Sequence, residues 1–115
     1  MVTRDYTGAS EGRHTQKAAR HNEGKPELSQ LLHFKEGLEA LAEHCTVGRS
    51  KYPDVDGVPN WILGGKPDQE YLDAAVRHLA AIVQGEEVDP ETGTLHAAAV
   101  AWNMLTLMTV NSNAR

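Results

Sequence analysis

The stretch HAAAVAWNMLTLMTV, residues 96 to 110, constrains the fold of this chain more than any other. It is apolar nearly all round a helical wheel, so it must be buried at the centre of a bundle or shared with another chain. The alanines from Ala97 to Ala101 let neighbouring helix backbones come close. This helix is expected to start near Glu91 or Thr92, just after Pro90. Two further stretches must then cover it. ELSQLLHFKEGLEALAEHC follows Pro26 and sets Leu31, Phe34, Leu38, Leu41 and Cys45 at helical spacings, with Gly48 as its expected stop. DQEYLDAAVRHLAAIVQ has Asp68 as its expected N-cap, an apolar face of Tyr71, Ala74, Ala75, His78, Leu79 and Ile82, and Gly85 at its end. No segment alternates with period two. The expected fold is all-α, a small bundle of about three main helices with a long loop between the first and second.

At 115 residues the chain holds one domain, and 5% aromatic content with a mean hydropathy of -0.48 makes for a thin core. Oligomerisation is the usual remedy, so a homo-oligomer is expected. Residues 1 to 24 read as a mobile polar arm, and 25 to 115 as the single helical domain. A net charge of -5 argues against a general nucleic-acid binder. Cys45 is the single cysteine, which precludes an intramolecular disulfide and suits a reducing interior. With no secretory or membrane-spanning signal in the sequence, a soluble cytoplasmic protein is expected.

Chemistry-bearing residues fall in four groups. Glu36-x-x-Glu39 and Glu70-x-x-Asp73 place carboxylates three apart on the first and second helices, so that two facing ladders would hold a hard cation such as Mg²⁺ or Mn²⁺. Carboxylates at this spacing are also ordinary on solvated helix faces. The turn GEEVDPETG adds Glu86, Asp89 and Glu91 to that inventory. His96 and Asn103 lie two turns apart on one face of an apolar helix, and His78 sits on the apolar stripe of the second; buried polar groups need partners. They serve either a hydrogen-bonded network or a metal or ligand site. In the Gly/Pro-rich stretch from Thr46 to Pro67, Lys51 with Tyr52 and the pair Asn60-Trp61 suit phosphate and base recognition, as does Arg77 on the second helix. Trp61 equally suits a plug that fastens the loop to the core. No phosphate-binding glycine loop, dinucleotide fingerprint, cysteine-rich zinc site or nucleophile elbow is present.

Taken in order, Gly24-Lys25-Pro26, the ALAE helix, Gly48-x-x-Lys51-Tyr52, Asn60-Trp61, Arg77-His78-Leu79, Gly85-Glu86-x-x-Asp89-x-Glu91-x-Gly93-x-x-His96 and Asn103 resemble a family of small phage and prophage proteins of dATP/dGTP diphosphohydrolase type. The resemblance spans roughly residues 24 to 110. That family is similar in turn to the all-α nucleoside triphosphate pyrophosphohydrolases of the MazG and dimeric dUTPase type. The likeness implies Mg²⁺ held by Glu36, Glu39, Glu70 and Asp73, and cleavage between the α and β phosphates. Two departures stand out: Lys35 precedes Glu36 where the pattern has adjacent glutamates, and the inserted loop lengthens the gap from Glu39 to Glu70.

The leading expectation is a metal-dependent nucleotide pyrophosphohydrolase, controlling a phage nucleotide pool. Glu36, Glu39, Glu70, Asp73, Glu86 and Asp89 would hold Mg²⁺ or Mn²⁺, and Glu39, His78 and His96 would carry catalysis. Lys51, Asn60, Trp61, Arg77 and Asn103 would bind substrate. The rival expectation is a non-catalytic phage protein that sequesters a nucleotide immune signal. A third is a purely structural oligomer, which would bind no nucleotide.

Overall fold

The computed structural model describes residues 24–112, so all of the polar arm except Gly24 lies outside the described part. Among the described residues the fold is all-α. A 3₁₀ helix, Leu28–Phe34, runs straight into helix α1, Lys35–Lys51; a second 3₁₀ helix, Asn60–Leu63, precedes α2, Asp68–Val83; and α3, His96–Val110, closes the order. Helix α3 packs along α2 and, less extensively, on α1, while α1 and α2 have no comparable contact with each other. The central place foreseen for the alanine-rich helix is the one it takes. Its Ala98 and Ala99 are buried, as are Tyr71 and Ala75 on α2, the helix it packs along.

Several boundaries differ from the sequence expectation, each for a local reason. Helix α1 passes Gly48 and ends at Lys51, with the Tyr52 N–H donating to the Gly48 carbonyl at 2.8 Å. Pro53 supplies the stop, because a residue before proline is forced out of the helical region, and Tyr52 sits at φ -128° and ψ 85°. Pro67, not Asp68, occupies the N-cap of α2. Asp68 is instead the first helical residue, and its carboxylate accepts hydrogen bonds from Asn111 Nδ2 at 3.1 and 3.2 Å, tying the start of α2 to the end of α3. Helix α3 starts at His96, not at Glu91 or Thr92. The residues before it fold into a tight turn in which Val88 pairs with Leu95, Asp89 N–H meets the Thr94 carbonyl and Gly93 N–H meets the Asp89 carbonyl. Gly93 at φ +75° permits that turn, and the Asp89 and Thr92 side chains bond its backbone in competition with a helix.

The loop between α1 and α2 is more ordered than its composition suggests. Val55 and Val58 pair across Asp56 and Gly57, both at positive φ (51° and 81°), the backbone of a tight two-residue turn. The apolar stripe expected on the first helix, by contrast, is only partly covered among the described residues, with Leu41 half-buried. Leu31, Phe34 and Leu38 are 51%, 63% and 38% exposed, Cys45 is exposed and α1 has no buried residue. On α2, Leu79 is exposed as well. No helix among the described residues is long and apolar enough to cross a membrane.

Candidate functional site

Two neighbouring features gather the chemistry-bearing residues. The first is an open cavity of about 700 Å³ between α1, the loop and α3. That volume falls within the range of small-molecule sites. Trp61 from the second 3₁₀ helix and Trp102 from α3 form one wall, edge to face at 6.3 Å and 82°. Arg49, Lys51 and Lys66 bring positive charge to the same rim, and Asn60 a side-chain amide. Lys51 Nζ reaches Glu91 Oε2 at 3.4 Å, and Arg49 pairs with Asp54 at 3.0 Å. Lys66 Nζ rests 4.7 Å over the ring of Tyr71, without an acidic partner among the described residues. A rim of cations over an aromatic wall is the pairing that a phosphorylated aromatic ligand needs.

The second feature is a cluster of histidines and carboxylates where α2, the acidic turn and α3 meet. His78 Nδ1 and His96 Nδ1 are 2.8 Å apart. His96 Nε2 lies 2.7 Å from Glu86 Oε1. A carboxylate only accepts, so Nε2 carries a proton, and of the two facing Nδ1 atoms one donates and the other accepts. Asp89 Oδ2 sits 3.9 Å from His78 Nδ1, while Asp89 Oδ1 accepts the Glu91 N–H at 2.9 Å. Asp89 and His96 are buried and His78 is half-buried. Burial pulls the His78 pKa below its ordinary value, helped by His96 and Arg77 and opposed by Asp89 and Glu91.

His44 links the two features. It lines the cavity and shares a hydrogen bond with Thr94 Oγ1 at 2.9 Å; Thr94 in turn meets Thr92 Oγ1, also at the cavity, at 2.8 Å. Burial lowers the His44 pKa, His78 adds to that effect and Asp89 opposes it.

The residues singled out in the sequence therefore divide. Lys51, Asn60 and Trp61 come together at the cavity. His78, Asp89 and His96 come together in the cluster, with Glu86 behind His96. Arg77 is exposed on α2 and does not line the cavity. Asn103 is buried and donates from Nδ2 to the Ala99 carbonyl at 2.8 Å, a bond within its own helix. The Glu36/Glu39 and Glu70/Asp73 ladders are exposed, on helices that do not pack against each other, and Asp73 accepts from Gln69 Nε2 at 2.8 Å. Among the described residues the one group of three potential metal ligands with atoms mutually within 4.8 Å is His78, Asp89 and His96.

His44, Lys66, Thr92, Thr94 and Trp102 join the site without a sequence pattern that singles them out. Trp102 lies among apolar neighbours on an all-round apolar helix, and His44 lies next to Glu43 on a helix rich in polar residues. Only the packing of α1 on α3 brings them to one cavity.

No curated protein and no solved structure matches the chain. The family model described as dATP/dGTP diphosphohydrolase, N-terminal, does match it, over residues 15–115. By that match over nearly its whole length, the chain belongs to the dATP/dGTP diphosphohydrolase N-terminal family.

Proposed function

We propose that this protein hydrolyses purine deoxynucleoside triphosphates, dATP or dGTP, to the monophosphate and pyrophosphate. Water attacks the α-phosphorus, the bond to the α–β bridging oxygen breaks, and pyrophosphate leaves with that oxygen. The observation that carries this reading is the cavity in which Trp61, Trp102, Asn60, Lys51 and Lys66 converge. An aromatic wall takes a base by stacking, and ammonium groups at the rim take phosphate oxygens as point charges. Asn60 suits a base edge, since a side-chain amide both donates and accepts. The family description names these two nucleotides; cleavage between the α and β phosphates is what the resemblance of the sequence to all-α pyrophosphohydrolases of the MazG type implies.

The reading includes dependence on Mg²⁺ or Mn²⁺, which in such reactions neutralises phosphate charge and activates water. The four ladder carboxylates do not fit one ion within a single chain, because Glu36 and Glu39 lie on a helix that does not pack against the helix of Glu70 and Asp73. Their convergence would require a second copy of the chain, in keeping with the partly uncovered apolar stripe on α1. In a phage setting the reaction would adjust the purine deoxynucleotide pool.

The test is incubation of the protein with each of the four dNTPs, with Mg²⁺ and separately with EDTA, read by mass spectrometry. Monophosphate and pyrophosphate from dATP or dGTP, abolished by EDTA, is the expected result. Unchanged nucleotides in both conditions, whether free or retained by the protein, would overturn the proposal.

A further inference from the structure

We propose that His78, Asp89 and His96 bind one borderline divalent metal ion, Zn²⁺ in preference to Mg²⁺, which fastens the acidic turn to α2 and α3. Each ligand comes from a different element: His78 from α2, Asp89 from the turn and His96 from the first position of α3. Two imidazole nitrogens and one carboxylate oxygen suit Zn²⁺, whereas Mg²⁺ is held by oxygen donors. Ligands around a tetrahedral Zn²⁺ stand roughly 3.3 Å apart, given metal–ligand distances of about 2.0–2.2 Å. Here the two Nδ1 atoms are 2.8 Å apart and Asp89 Oδ2 is 3.9 Å from the nearer one. The donors bracket the required spacing, and the ring nitrogens need to part by about half an ångström.

The surroundings favour a cation over the bare triad. Asp89 is buried, its Oδ1 is held by the Glu91 N–H, and its Oδ2 accepts no hydrogen bond among the described residues. A buried carboxylate oxygen facing two imidazoles without a donor is costly unless a cation joins them. Glu86 on His96 Nε2 supplies what a metal-bound histidine usually has, a carboxylate that fixes the tautomer and leaves the other nitrogen free to ligate. Three protein ligands leave a fourth position for water. None of the three lines the cavity, so the ion would act on the turn that carries Thr92 and Glu91 and not on the ligand there. The proposal stands independently of the nucleotide reading.

The experiment is titration of the chelator-treated full chain with Zn²⁺ and with Mg²⁺, in competition with a chromophoric chelator, alongside Co²⁺ read by its visible ligand-field absorption. One Zn²⁺ per chain, bound far more tightly than Mg²⁺, and a Co²⁺ spectrum of tetrahedral nitrogen/oxygen type are expected. Glu86→Gln should weaken Zn²⁺ by about 10- to 100-fold. His78→Ala, with helical circular dichroism intact, should lose the stoichiometric site and the rise in melting temperature that Zn²⁺ gives the parent. Zn²⁺ held no more tightly than Mg²⁺ by the parent would overturn the proposal without recourse to any variant. Unchanged Zn²⁺ affinity in folded His78→Ala would overturn it equally.

Discussion

His78 and His96 meet Nδ1 to Nδ1 at 2.8 Å, across 18 positions of sequence. That contact fixes the register of α2 against the first turn of α3, and Glu86 on the far nitrogen of His96 extends it into the acidic turn. The Asp89–Glu91 and Thr92–Thr94 bonds then stiffen the segment that delivers Thr92 to the cavity and Glu91 to Lys51. The histidine contact and the cavity are thus joined through one short, internally bonded turn, so a change at the former should be felt at the latter.

If the cavity takes a purine nucleotide, its aromatic wall should report and support binding. Titration with dATP or dGTP is expected to quench tryptophan fluorescence. Trp61→Ala removes one stacking face, a loss of about 1–3 kcal/mol per base, or roughly 5- to 150-fold in Kd. Lys51→Ala should weaken nucleoside triphosphates by about tenfold while leaving the unphosphorylated nucleosides nearly unaffected, because an exposed ammonium contributes mainly to phosphate. Equal weakening of triphosphate and nucleoside by Lys51→Ala would contradict the assigned orientation.

In chelator-treated protein, acidification below pH 6.5 should destabilise the fold. The His44 and His78 pKa values are both lowered in the folded chain, chiefly by burial. The unfolded chain therefore binds more protons than the folded one just below the ordinary value of 6.5. Stability from this source is intact above that pH and is lost as pH falls toward the lowered values. The opposing pull of Asp89 on both rings, and of Glu91 on His78, reduces the size of the effect but not its sign. Urea midpoints measured from pH 7.5 down to 5.0 should decline, and His44→Gln should flatten the decline.

How much of this was legible beforehand differs from element to element. The three α-helices and the central place of His96–Val110 follow from 3.6-residue periodicity and an all-round apolar stretch, which depend on local sequence alone. Lys51, Asn60 and Trp61 stand out in the sequence as a cation, an amide and an indole within one glycine- and proline-rich loop, but that they line one cavity follows only from the packing of that loop. The start of α3 was not, since Gly93 at positive φ and the side-chain bonds of Asp89 and Thr92 override helix propensity through contacts that are specific to the turn. Nor was the pairing of His78 with His96: spacing placed each on a helix face, but only the register between α2 and α3 sets their distance. The Glu36/Glu39 and Glu70/Asp73 ladders show the same limit. Periodicity puts each pair on one face and is silent on whether the two faces meet.

The exposed apolar residues of α1 and the preceding 3₁₀ helix lead to a second stability prediction. Leu28, Leu31, Leu32 and Phe34 form a run with no cover from the described residues, and Val76 and Val83 on α2 are exposed too. Contiguous apolar surface of this kind in a small chain marks an interface. Analytical ultracentrifugation should find a dimer or larger assembly, and Leu32→Glu should shift it toward monomer with a lower melting temperature. A parent chain that sediments as a stable monomer would remove both this prediction and the route by which the two carboxylate ladders could meet.

The α2–α3 contact should dominate the stability of each chain, because it holds the residues buried most deeply. Tyr71 is 2% exposed and Ala99 is 1% exposed. Tyr71→Ala leaves a cavity and should cost about 3–5 kcal/mol, as large-to-small changes at aromatic core positions do. Ala99→Leu adds volume where helix backbones approach closely and should cost about 1–3 kcal/mol. It would also disturb the Ala99 carbonyl that accepts the Asn103 amide. With roughly 4–8 °C in melting temperature per kcal/mol for a domain of this size, both changes are readable by calorimetry. Ala97, exposed two residues earlier on the opposite face of the same helix, serves as the control: Ala97→Leu should shift the melting temperature little in comparison. Equal sensitivity at positions 97 and 99 would mean that the face of α3 carrying Ala97 is also covered, by a partner chain.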